Sequence, residues 1–228
     1  GGMKMSCENK YQTIEKIAEW ILKCLEGIER GTHKVEYLRS EIYGCCEKIL
    51  ETADIEEGNE EIDCIKNNES KRSSKKRSQV YVVRLSEAAN CSSTKIIKIG
   101  EKEYTILTGD DLKGLHSEHT YPRSLLLKDF LNLENPTKEK IVSLIKERGK
   151  VAYITKEESD LLDKKLTAEQ VEMLRSKMSQ NDFKNYKIKE GDILKDKMPE
   201  NWDAKSVDER LKARGIKLKD QLFLVADI

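Results

Sequence analysis

The period of the apolar residues changes once along this chain, and that change constrains the fold more than any other feature. Before about residue 65 they recur at steps of three and four; after residue 79 they come in short β-branched runs. Between them lies KNNESKRSSKKRSQ (66–79), with six basic residues, one acidic residue and no large apolar side chain. Such a stretch has nothing to bury and reads as a linker or exposed loop. The expected architecture is α+β, a helical hairpin followed by a mixed domain: a helical module over 3–65, a basic linker over 66–79 and an α+β domain over 80–228.

In the first block Tyr11, Ile14, Ile17, Ala18, Ile21, Leu22, Leu25 and Ile28 make one face of a helix. Gly27 and Gly31 bracket its end, and Thr32 is placed to cap a second helix. Val35, Leu38, Ile42, Cys45, Cys46, Ile49 and Leu50 form the second stripe. Two such helices make an αα-hairpin, which buries little alone and must pack on a third helix, on the rest of the chain or on a second copy. A homodimer through these helices is the expected assembly, and docking of another partner is the alternative.

After the linker, Val80–Val83, Lys95–Ile99 and Tyr104–Leu107 read as strands, the last two as a hairpin. Thr108 is positioned to cap a short helix. Leu125–Leu131 reads as a short apolar helix. Asn135-Pro136-Thr137 stops it and opens another over Lys138–Arg148, with Ile141, Leu144 and Ile145 inward and Gly149 at its end. Val151–Ile154 is a strand, and Thr155-x-x-Glu158 fits a capping box for the next helix. A helix over Ala168–Met178, a polar insertion over 180–199, a short helix over Ser206–Arg214 and a closing strand over Gln221–Ala226 complete the reading.

Net charge is zero, with 37% charged and 37% hydrophobic residues, so any attraction to a polyanion must be local, as in the 66–79 run. All six cysteines fall at or before Cys91, and no C-x-x-C pair occurs, so the common zinc spacings are absent. They read as reduced thiols of a reducing compartment. No signal pattern and no run approaching ~18 apolar residues is seen, so the expectation is a cytoplasmic protein with no membrane partner. Gly1 and Gly2, ahead of Met3, read as an expression remnant.

Two of the three histidines lie in His116-Ser117-Glu118-His119-Thr120-Tyr121-Pro122-Arg123-Ser124. Histidine titrates near neutrality and serves as a general base on water, and a carboxylate-held hard cation polarises a phosphate. A surface Glu–His pair is the plain structural alternative. Likewise, Glu157, Glu158 and Asp160 suit the start of a helix without any ligand.

An acidic residue, then His, then Pro three positions on resembles the first motif of the HNH, or ββα-metal, endonucleases. Val151–Leu162 resembles their second strand and closing helix. Arg175-Ser176-Lys177-Met178 and Lys197-Met198-Pro199-Glu200-Asn201-Trp202-Asp203 look like the tail of one prokaryotic group of that family. The resemblance spans roughly Leu112 to Ile216. It implies His119 as general base, and Glu118 with Asp160 or Glu158 as ligands of one Mg or Mn ion. Asn132 and Asn135 are candidates for the family's middle Asn. Arg123, with Lys71, Arg72, Lys75, Lys76 and Arg77 of the basic run, would grip DNA phosphates. The chain departs from the pattern at Ser159, where the family often has His or Asn, and the zinc-knuckle subtype is excluded. The implied function is a metal-dependent DNA endonuclease, with restriction or anti-phage defence by family association. The alternatives are a non-enzymatic nucleic-acid- or protein-binding module with a decayed site, and a hydrolase of small phosphoesters.

Overall fold

A computed structural model describes residues 14–39, 80–93, 95–99, 101–200, 202 and 206–226. The basic run 66–79 and most of the second expected N-terminal helix lie outside the described residues. The chain is α+β, with one mixed six-stranded sheet preceded by a helix. In chain order the elements are α1 (Ile14–Glu29), β1 (Val80–Leu85), β2 (Ile96–Ile99), β3 (Lys102–Leu107), β4 (Leu115–His119), α2 (Arg123–Leu131), α3 (Lys138–Arg148), β5 (Val151–Thr155), α4 (Lys156–Asp163), α5 (Ala168–Lys177), α6 (Gln180–Asn185), α7 (Glu209–Lys212) and β6 (Leu222–Ala226). A helical turn over 35–39 follows α1.

The sheet order is β2-β3-β6-β1-β5-β4. β2 and β3 pair antiparallel as the hairpin the sequence suggests. β6, the last strand in the sequence, inserts between β3 (parallel) and β1 (antiparallel). Its LFLVA run is the continuous apolar stretch of a strand covered on both faces: Phe223 and Val225 join Val83, Leu85 and Leu107 on one side, while Leu224 joins Val82 and Tyr104 on the other. β4 closes the sheet at one edge, antiparallel to β5, with Leu115 opposite Thr155 and His119 opposite Val151.

Local sequence explains the helix boundaries. Thr137 caps α3 by accepting from the Lys140 amide, and Gly149 ends it. Thr155 and Glu158 form the expected capping box at α4. Thr167 and Gln170 form a second one at α5, where Gln is the residue at N3. Two expectations change. Thr108 opens no helix: its amide and hydroxyl both bond the Asp111 carboxylate, which closes a polar turn instead. The helix expected over Ser206–Arg214 shortens to the four residues of α7. The polar stretch 180–199 carries α6, and its Ile188 is buried with Leu166, Val171 and Leu174.

α1 does not stand apart. Ile14, Ile17, Ala18, Ile21, Cys24 and Leu25 enter one core with Leu126, Leu127, Phe130, Ile141 and Ile145 of α2 and α3. The α1 stripe is therefore covered by the segment that links β4 to β5. No helix among the described residues is long and apolar enough to cross a membrane.

Candidate functional site

β4, β5 and α4 together make a strand–strand–helix unit. The two strands pair antiparallel and α4 packs on both. The hairpin is interrupted by α2 and α3, so the two strands are joined through thirty-odd residues rather than by a tight turn.

Alternation along a strand sends neighbouring side chains to opposite faces. Glu118 and His119 therefore diverge. Glu118 sits opposite Ala152, which in turn sits opposite Arg84 of β1, so Arg84, Ala152 and Glu118 form one row across three strands. α7 crosses above that row. Asp208, just before α7, pairs with Arg84 at 2.5 Å, and Arg210 of α7 pairs with Glu118. The signs alternate, so a helix of only four residues is pinned to the sheet by two complementary ion pairs. Arg210 is 1% exposed. It also donates to the carbonyls of His119 (2.6 Å), Leu194 (3.0 Å) and Lys195 (2.9 Å). One guanidinium thus fixes the end of β4 and the loop before α7.

On the other face, His119 is 9% exposed and its Nε2 is buried with no hydrogen-bond partner. Burial, and then the positive charges of Arg123 and Arg210, lower its pKa to about 4. The ring is neutral at pH 7. Thr120 ties the following residue down: its amide and its hydroxyl donate to the Lys150 carbonyl at 3.0 and 3.2 Å. Tyr121 is buried against Trp202, ring centroids 5.3 Å apart, and the Arg148 guanidinium lies over both rings. Asp129 holds Arg148 at 2.7 Å. Burial, aided by Asp129, raises the Tyr121 phenol to about 12. Pro122 then opens α2, so His119 sits at a braced strand end directly before a helix N-terminus.

The remaining expected site residues are spread out. Glu158 accepts from the Thr155 amide and from Ser86 Oγ at 2.6 Å, joining the start of α4 to the end of β1. Asp160 pairs with Lys164 at 2.8 Å, and that bond, with Lys156 and His116, lowers its pKa. Both lie at the Leu115–His116 end of the ladder, roughly 10–13 Å along the strand from His119 at the ordinary rise per residue. Asn132 is the exposed C-cap of α2, and Asn135 is exposed in the following turn with φ 48°. Neither is brought to His119. Lys71, Arg72, Lys75, Lys76 and Arg77 lie outside the described residues. Arg123 is brought there, at the first position of α2 and close enough to shift the His119 equilibrium.

The carboxylates do not fit a preassembled cation site. Glu118 is engaged by Arg210, Glu158 by the capping box and Ser86, and Asp160 by lysines. Among the described residues no three His, Cys, Asp or Glu side chains close around a common point. Sequence reasoning missed Arg210 and Ser124. Nothing near Arg210 in sequence marks it as the partner of a residue on β4, and Ser124 is recognisable only through the unpartnered buried state of its Oγ. No protein-family model matches the chain, and neither a curated protein nor a solved structure matches it.

Proposed function

We propose that this chain hydrolyses phosphodiester bonds in DNA, as an HNH-like endonuclease with His119 as general base. One observation carries the reading: a neutral imidazole with an unpartnered Nε2 at the end of the first strand of a strand–strand–helix unit. A general base must be unprotonated where it works. Buried polar atoms are nearly always partnered, so an orphan at such a place marks a group kept for something else. A phosphate arriving beside the ring would offset the charges of Arg123 and Arg210 and bring its pKa back toward neutrality, where base catalysis is most effective. In the proposed step, water attacks phosphorus, its proton passes to Nε2, and the ester P–O bond breaks, its electron pair going to the leaving oxygen, which takes a proton from solvent. The Mg or Mn implied by the resemblance has no donor set ready, so no step is assigned to it. The basic run 66–79 would add sequence-independent attraction to the DNA backbone. A cytoplasmic location, a dimer and a role in restriction or anti-phage defence belong to the same proposal.

The test is incubation with supercoiled plasmid in Mg²⁺, Mn²⁺ or EDTA, beside His119→Ala. Nicking that disappears in the variant, while its melting temperature holds, supports the reading. A second reading is favoured by the Glu118–Arg210 pair, which occupies the expected ligand: a non-enzymatic nucleic-acid-binding module on the same scaffold. It predicts no cleavage with any cation and salt-sensitive DNA binding that survives His119→Ala.

A further inference from the structure

We infer that Arg210 is the positioning residue of the proposed general base: its guanidinium reaches the free edge of β4 and holds the His119 main chain, and through it the imidazole. The inference rests on the phosphodiester reading above and adds to its site a residue 91 positions away in sequence.

β4 is the last strand in the sheet order, so β5 lies along one of its edges only. In an antiparallel ladder, opposed residues alternate between pairs that exchange backbone bonds and pairs that exchange none. The Thr120 amide donates to the Lys150 carbonyl, and this pair continues the register in which His119 faces Val151. The His119–Val151 pair is therefore one that exchanges none. The His119 amide and carbonyl point away from β5, off the free edge, where a strand end opens easily. Arg210 closes that edge. Its Nη2 donates to the His119 carbonyl at 2.6 Å and also pairs with Glu118. Its Nη1 donates to the Leu194 and Lys195 carbonyls. A planar fork bonded through both Nη atoms has little freedom left, so the strand end is fixed to α7 and to the loop before it. His119 needs a hold of this kind. A base must keep the atom that takes the proton open, and its Nε2 has no partner. The ring cannot be anchored there, so its place is set by packing and by the main chain that carries it. A shift of about 1 Å passed on from outside a site can cost about a hundredfold in rate.

The test reads the histidines of the full chain directly. Diethyl pyrocarbonate acylates imidazole at a rate set by its accessibility, and His33 and His116, both exposed, serve as internal references. Peptide mass spectrometry gives the three rates, and in the parent His119 should react more slowly than either reference. Arg210→Lys keeps a cation beside Glu118 and loses the planar fork. It should raise the His119 rate about tenfold, the loss of one charge-assisted bond to the strand end. If Arg210→Lys does not fold, Glu118→Leu with Arg210→Met, which leaves neither charge of the pair unmatched, should show the same rise. Leu174→Ala, in the separate cluster of α5, lowers stability away from β4, and its His119 rate should stay at the parental value. A His119 rate unchanged in the Arg210 variants, or raised as much in Leu174→Ala, overturns the inference. In plasmid nicking, Arg210→Lys should lower kcat by about ten- to a hundredfold with KM held, because the residue acts through His119 rather than on the substrate. Nicking with the parental kcat in Arg210→Lys overturns the inference as well. A parent that nicks no plasmid removes the phosphodiester reading, and the histidine rates then decide on the hold alone.

Discussion

The two ends of the β4–β5 ladder are both polar, yet they are built in opposite ways. The Leu115–Thr155 end holds a closed network: Thr155 and Glu158 satisfy each other, Ser86 bonds Glu158, and the Ala89 amide bonds Ser86. At the His119–Val151 end, His119 Nε2, Ser124 Oγ and Arg210 Nε are buried without partners. Both ends are packed and both lie on the same two strands. A satisfied network holds a helix on a sheet. Unsatisfied donors and acceptors are what a ligand completes, and here they lie on both faces of the strand end, His119 Nε2 on one and Arg210 Nε beside Glu118 on the other. Of the acidic residues that look like metal ligands in sequence, Glu158 belongs to the closed network and Asp160 to a surface lysine pair, while Glu118 lies beside His119 and is taken by Arg210.

The largest break in this contrast should come from Glu118→Ala. It leaves Arg210 charged, 1% exposed and without a carboxylate, a loss of about 3–5 kcal/mol for a buried pair broken on one side. Urea unfolding would show it as a lower midpoint with an unchanged slope. Glu118→Leu with Arg210→Met should recover part of the loss. Recovery stops short because the carbonyls of His119, Leu194 and Lys195 lose their donor. If Glu118→Ala melts like the parent, Arg210 does not depend on that carboxylate.

Next in size is a pH effect carried by His119. Its folded pKa of about 4 lies below its ordinary value of 6.5, so between those values the unfolded chain binds more protons than the folded one. Stability therefore rises with pH across that window and falls on acidification from about pH 6.5 toward 4, by up to about 3 kcal/mol. His119→Gln removes the titrating group. The difference in melting temperature between pH 7 and pH 5 should shrink in this variant, since other titrating groups cancel in the comparison. An equal drop in both proteins would place the ring in contact with solvent.

These effects also show which parts of the molecule were legible in sequence. Helix boundaries were, because capping is local: Thr137, Gly149 and the Thr155–Glu158 box act within one turn. The β2–β3 hairpin was, because its strands are neighbours in sequence. The strand at the chain's end was recognisable from its apolar run, but its insertion between β1 and β3 was not, since it depends on contacts across more than a hundred residues. Glu118 and Arg210 are likewise far apart in sequence, by 92 residues. Reading Glu118-His119 as one functional pair overlooked strand alternation, which sends the two side chains to opposite faces and gives each a different neighbour. Thr108 shows the limit of cap reasoning: Asp111 can capture the same amide without any helix following.

The smallest effects lie at the satisfied end, and there they separate structure from catalysis most cleanly. Glu158→Ala removes the reciprocal bond of the capping box and the Ser86 contact together, a loss of about 1–2 kcal/mol, visible as a lower melting temperature. Asp160 is different. Its carboxylate lies at the surface between Lys156 and Lys164, and exposed ion pairs of this kind contribute little. Asp160→Ala should therefore melt with the parent protein. That neutrality makes it the most informative of the carboxylate variants in the plasmid assay. Nicking lost in Asp160→Ala, with folding untouched, would mean that the Leu115 end of the ladder reaches the substrate after all and that the contrast between the two ends is one of the free protein only. Nicking retained in Asp160→Ala but lost in His119→Ala would confine the chemistry to the end where the buried donors are left open.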